Sequence, residues 1–357
     1  MSWFNKEREK ALLTFPVVTA AMLTENNKAK DEDFSQFCAK ELSEGNSFFI
    51  YMSNSADSLA SCCRLRNEIA DNTFSYSLGA GGVSTGSINV ITINMNRLIQ
   101  DKRDLKTEIE KIHKYQVAHR KLIEEYKKTG ILTVYDAGFI TLDKQFLTIG
   151  INGMVEAAEY LGYTASNNQE YMDYVSSQLK IIYDANKEAK KIYGYMFNTE
   201  FVPAENLGVK NAEWDKRDGY FVPRDCYNSY FYVVEDENTN SIDKFVLHGK
   251  DMIQYLDGGS ALHLNLEQKL TQEGFYKLIN VAAKAGCNYW CTNVKVTICN
   301  DCSHIDKKTY YYCPKCNSEN IDYGTRVIGY LKRISSFSNS RQKEAHIRHY
   351  HKKEKIA

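Results

Sequence analysis

The chain has 357 residues, enough to bury a large core, and its 45 basic and 45 acidic side chains cancel. Zero net charge excludes a global field that would draw in nucleic acid, an anionic membrane surface or a strongly charged partner. The first residues lack a signal-peptide pattern and nothing later reaches transmembrane length, so the reading is a soluble, cytoplasmic protein with no membrane or nucleic-acid partner.

In chain order, the segments Leu12 to Met22 (LLTFPVVTAAM) and Ser47 to Met52 (SFFIYM) are short, apolar and bounded by polar residues, which predicts two buried strands. Helical spacing lies between them, from Asp31 to Leu42. The adjacent pair Cys62 and Cys63 precedes a Gly- and Ser-rich loop, Ser75 to Ser87, which enters a strand at Ile88 to Met95. Arg97 to Lys128 is charged and periodic and is followed by Gly130, which predicts one long exposed amphipathic helix. Helices follow at Asn152 to Leu161 and Gln169 to Tyr193. Strands are predicted at Tyr227 to Val234, Lys244 to Leu247 and Ala261 to Leu266, then a helix at Gln272 to Ala285. This alternation predicts an α/β architecture without internal repeats or a dividing linker before roughly Val294.

Ten cysteines in a long chain, clustered instead of evenly spread, point to metal and reactive thiols and away from a secreted disulfide scaffold. Cys299, Cys302, Cys313 and Cys316 form two CxxC knuckles (CNDCSHIDKKTYYYCPKC), a spacing that brings four thiolates to the corners of a tetrahedron and suits structural zinc. His304 lies within this run and reads as a surface residue, because four thiolates already complete the ion's shell. A zinc ribbon alone is ambiguous, since such modules also bind nucleic acid or simply pin a loop.

Beyond Cys316 the chain reads RVIGYL, with Gly329 between Ile328 and Tyr330. A lone glycine between strand-like residues is most often a bulge or a turn. Here it follows the four cysteines, and other stretches join it: SLASCCRLRNE around Cys62 and Cys63, TGSINVITINMNR from Thr85, NGMVEAAEYLG from Asn152, VPAENLGVK from Val202, YNSY from Tyr227 and DGGSALHLNL from Asp257. Together these segments closely resemble the later part of anaerobic, or class III, ribonucleotide reductases of the glycyl-radical family.

The resemblance implies the second part of a ten-stranded α/β barrel with a finger loop near residues 55–87, over residues 1–293. It implies a four-cysteine zinc module over 294–320 and a glycyl-radical loop with a helical tail over 321–357. Gly329 would store the radical, since a radical on a glycine α-carbon can flatten and spread into the neighbouring amides without a side chain clashing. A cysteine just before an arginine becomes the thiyl in that family, which favours Cys63 beside Arg64 and leaves Cys62 open. Ser87, Asn89, Glu205 and Asn228 are candidate substrate contacts; the alternative for Ser87 and Asn89 is a flexible turn before a strand, and for Glu205 and Asn228 the satisfaction of backbone groups.

By the same resemblance the complete enzyme reduces ribonucleoside triphosphates with formate or a thiol system as reductant, and is a homodimer. A separate activase would install the radical, using S-adenosylmethionine and an iron–sulfur cluster. The family's regulatory domain and first half-barrel have no counterpart here, so the expectation is a split subunit completed by a separate N-terminal half, or a truncated product. A glycyl-radical lyase and a non-catalytic zinc-ribbon module are the competing expectations. The basic tail, Lys332 to Lys355 with His346, His349 and His351, reads as a solvated amphipathic helix that caps the radical loop or docks the activase.

Overall fold

The computed structural model describes residues 1–54, 58–60, 66–68, 86–201, 203, 206–327 and 329–352. Strands in chain order are β1 (Thr19–Glu25), β2 (Lys28–Ala29), β3 (Phe49–Ser53), β4 (Ser58–Ala60), β5 (Arg66–Glu68), β6 (Gly86–Asn94), β7 (Gln145–Asn152), β8 (Met196–Phe201), β9 (Gly259–Ser260), β10 (Leu262–Asn265), β11 (Tyr289–Asn293), β12 (Val296–Cys299), β13 (Ile305–Asp306), β14 (Ile321–Arg326) and β15 (Leu331–Arg333). β6, β7, β8 and β9 form a parallel sheet in that order. A second sheet has the order β10-β11-β3-β1-β2, in which β10 is parallel to β11, β11 antiparallel to β3, and β3 parallel to β1. Only Ala261 separates β9 from β10, so the two sheets share a corner and curve around a common interior. The fold is mixed α/β with parallel sheets, as the alternation predicts.

Helices cover the outside because parallel strands need both faces buried. The helices Leu105–Lys128 and Gln169–Tyr193 pack on each other and on the β6–β8 sheet, while Glu32–Ser43 and Gln272–Ala285 pack together beside β1 and β2. One large apolar cluster runs through both groups, from Ile50 and Ile149 to Leu264 and Trp290. Helix starts follow the capping rule. The side chains of Asp31, Asn94, Asp104, Asn168, Asn240 and Thr271 each accept a backbone N–H at a first turn.

Several expectations change. The strand predicted from Leu12 begins only at Thr19, beyond Pro16, which has no N–H to give a ladder. The long helix from Arg97 is two helices, Met95–Gln100 and Leu105–Lys128, because Asp104 caps a new start by accepting the Thr107 N–H at 2.8 Å. It is also less exposed than predicted, for Ile109, His113, Gln116, Val117 and Arg120 are buried. Lys244 to Leu247 is not a strand but part of the helix Ser241–Leu247, capped by Asn240. Tyr227 to Val234 forms no strand either. Side chains take up its backbone groups instead: Glu156 Oε1 accepts the Asn228 N–H at 3.0 Å and Asn228 Oδ1 accepts the Val234 N–H at 3.1 Å. The strands β7, β8 and β11 went unpredicted.

Candidate functional site

The last sheet, β13-β12-β14-β15, is antiparallel throughout and carries both features singled out beyond residue 294. β12 ends on Cys299, and the turn after it brings Cys302 close by. Cys313 and Cys316 approach from the loop that precedes β14. All four Sγ atoms lie within 4.8 Å of one another, with Cys299–Cys316 and Cys302–Cys313 both at 3.6 Å. Tetrahedral thiolates about 2.3 Å from a zinc ion stand about 3.8 Å apart, so the cluster fits that ion. Backbone N–H groups of Cys302 and Lys315 donate to the sulfurs of Cys299 and Cys313 at 3.4 Å, which favours thiolates. His304 lies outside the cluster and partly exposed, 3.8 Å from Asp306.

Gly329 sits in the hairpin loop that joins β14 to β15. The register pairs Arg326 with Leu331, so residues 327–330 form the loop, and Gly329 within it is half-buried. The same sheet that gathers the cysteines therefore anchors both strands of the glycine hairpin. Tyr330 places its ring 5.3 Å from that of Phe15, which ties the loop's far side to the segment before β1.

The tail clamps the near side. Arg348 donates to the carbonyls of Arg326 at 2.9 Å and Val327 at 2.7 Å, and Asn293 at the end of β11 adds a bond to the Arg326 carbonyl at 2.9 Å. Arg348 is itself held by Glu344, which also binds Arg341. Burial opposes ionisation of the Glu344 carboxyl, but Arg348 and Arg341 outweigh it and hold its pKa below the ordinary value. The tail is thus not a solvated helix: Arg341, Glu344, Arg348 and His351 are all buried. Its last stretch runs beside the sheet corner, where the His351 N–H donates to the Asn265 carbonyl and the His351 carbonyl accepts the Glu267 N–H. Sequence reading missed this clamp, although Arg341, Glu344 and Arg348 at spacings of three and four carried the signal.

The other candidate residues are divided. Cys62, Cys63 and Glu205 lie outside the described residues. Ser87 bonds the Thr148 hydroxyl across β6 and β7, and Thr148 in turn donates to Asn198 at 2.6 Å on β8. Asn89, on the same strand, has a buried Oδ1 with no hydrogen-bond partner among the described residues. Asn228 is committed to the protein, with its amide on Glu156 at 2.8 Å and its oxygen on the Val234 N–H. Ser87 and Asn89 therefore share a strand, while Asn228 belongs to the wall beyond β7.

Comparisons with known proteins follow the same lines. The family model described as anaerobic ribonucleoside-triphosphate reductase matches residues 3–351. Among solved structures, one described as an anaerobic ribonucleotide reductase matches with a TM-score of 0.84 and 28% identity, covering 98% of this chain and 57% of that one. The Thermotoga maritima anaerobic ribonucleotide reductase in complex with dATP and CTP matches with a TM-score of 0.81 and 28% identity, over 96% of this chain and 57% of the other. A glycyl radical enzyme from Archaeoglobus fulgidus shares the fold, with a TM-score of 0.59 at 12% identity over 98% of this chain and 54% of that one. No curated protein matches. The chain thus spans a little over half the length of the solved structures it resembles.

Proposed function

The chain belongs to the anaerobic ribonucleoside-triphosphate reductase family, and we propose that it is the radical-bearing part of such a reductase. In this reading the assembled enzyme is a cytoplasmic homodimer that reduces ribonucleoside triphosphates to deoxyribonucleoside triphosphates. The observation that carries it is Gly329, set in a hairpin whose two strands belong to the four-cysteine sheet and whose near side is clamped by Arg348.

The roles follow from what each group can do. Residues 1–293 supply the partial barrel, 294–320 a zinc module and 321–357 the radical loop and its tail. Zinc, held by Cys299, Cys302, Cys313 and Cys316, would fix the hairpin's base. Gly329 stores the radical after a separate activase, with S-adenosylmethionine and an iron–sulfur cluster, removes a hydrogen atom from it. It regains one from Cys63, with Cys62 the alternative, and the thiyl so formed takes a hydrogen atom from the ribose. Water leaves the sugar, and formate or a thiol system provides the two electrons. Ser87, Asn89 and Glu205 are proposed to touch the substrate. Asn228 supports the wall by donating its backbone N–H and side-chain amide to Glu156 Oε1. The protein's share of the work is placement and exclusion of water and oxygen.

The lyase reading shares the radical glycine, but the reductase family model matches nearly the whole chain, and the glycyl radical enzyme at 12% identity shares the fold alone. The test is anaerobic turnover of a ribonucleoside triphosphate by the activated, assembled enzyme. Cys63→Ser should abolish product while the glycyl signal persists, and Cys62→Ser should keep activity. Full activity in Cys63→Ser would move the thiyl to another residue.

A further inference from the structure

Arg8 and Arg326 are buried to 5% and 1% exposure, and both reach for a single carbonyl. Arg8 donates to the Ser47 carbonyl at 2.6 Å and to Asn46 Oδ1 at 2.8 Å; Arg326 donates to the Ser47 carbonyl at 3.1 Å and to its hydroxyl. Neither guanidinium has a carboxylate within ion-pair distance among the described residues, and the Nε–H of each has no acceptor. Glu41 is reached only through the Asn46 amide, at 3.1 Å. Buried charges are ordinarily paired, because an uncompensated one costs several kcal/mol, and two of like sign side by side compound that cost.

Arg8 also lines a cavity of about 40 Å³ where the N-terminal segment, β11 and the four-cysteine sheet meet. Asn46, Ser47 and Asn293 contribute polar groups, and Lys269 and Lys307 also line it. Lys307 is paired with Glu9 at 2.7 Å, but no ion pair holds Lys269 among the described residues. Burial and the neighbouring Lys307 push the Lys269 amine down to about 8, and burial with Arg326 pushes Arg8 down to about 10. The whole corner carries positive charge in excess of its acids.

We propose that this cavity binds a small oxoanion of the phosphate or carboxylate class, held by Arg8 and closed by Lys269 and Lys307. Guanidinium forks match the oxygen geometry of both classes, and the volume admits one small anion without a nucleoside attached. The occupant would relieve repulsion on Arg326, which ends the strand leading to Gly329. Anion occupancy and the packing of the radical loop are thereby linked.

The test is thermal unfolding of the full chain in Tris chloride, titrated with sodium phosphate or sodium formate against sodium chloride at matched ionic strength. A saturable rise in midpoint with phosphate, formate or both, absent with chloride, is the expected result, and the effective salt identifies the anion's class. Arg8→Met and Lys269→Met should each weaken the apparent affinity at least tenfold. Lys269 is half-buried where Arg8 is fully buried, so its variant keeps the test valid if Arg8→Met does not fold. Equal shifts with all three salts, or a saturable shift unchanged in the variants, would overturn the proposal.

Discussion

Arg348 donates to the carbonyl of Val327 at 2.7 Å, two residues before Gly329, while its other contacts run to Glu344 and the Arg326 carbonyl. One side chain from the tail therefore fixes the entry to the hairpin loop that holds Gly329. Arg348→Met removes those bonds and leaves Glu344 buried with Arg341 alone, which should cost about 3 kcal/mol in denaturant unfolding. Adding Glu344→Gln should cost more still, because it takes from the buried Arg341 the carboxylate that Arg341 is paired with.

The four-cysteine sheet holds both strands of the hairpin, so damage to the cluster should reach the loop. Cys302→Ser should release zinc to a chelator concentration that leaves the native chain loaded, as measured by elemental analysis. Limited proteolysis should then cut near residues 327–330 sooner than in the native chain. Structural zinc sites contribute folding energy directly, so the thermal midpoint should fall as well.

Lys244 is buried against the tail, with Nζ 2.7 Å from His351 Nε2 and 4.5 Å from the Tyr232 ring centre. Burial pushes its amine down to about 7; Asp236 works against the shift and Arg348 adds to it. The unfolded amine titrates near 10.4, so between about pH 7 and 10.4 the unfolded chain binds a proton that the folded one does not. Stability therefore rises with pH across that window, and the cost of burying this amine is at its full size below about pH 7. Thermal midpoints of Lys244→Met, compared with the native chain from pH 7 to 9.5, should show a flatter rise; parallel curves would contradict the assignment.

Much of this was legible in the sequence where a local rule operated alone. The helices Gln169–Tyr193 and Gln272–Ala285 carry clean periodicity with capping residues, and the cysteine knuckles state their own geometry. The barrel strands were harder to read. β7 (QFLTIGIN) is buried on almost every residue and so lacks alternation, and β8 and β11 carry polar side chains such as Asn198, Glu200 and Asn293 that face the interior. Asn240 before Asp243 was a readable cap for the helix Ser241–Leu247, overruled by the apolar run that follows it. The tail misled for a different reason. Arg348 and His351 look solvated by composition, yet both are buried: Arg348 pairs with Glu344 one turn earlier and donates across the fold to the Arg326 and Val327 carbonyls, and His351 meets Lys244.

Electron paramagnetic resonance reads the radical proposed on Gly329 directly. After anaerobic activation of the assembled enzyme the spectrum should show a glycyl doublet, brief exposure to oxygen should cleave the chain at Gly329, and Gly329→Ala should abolish both. A doublet that survives that substitution would contradict the account.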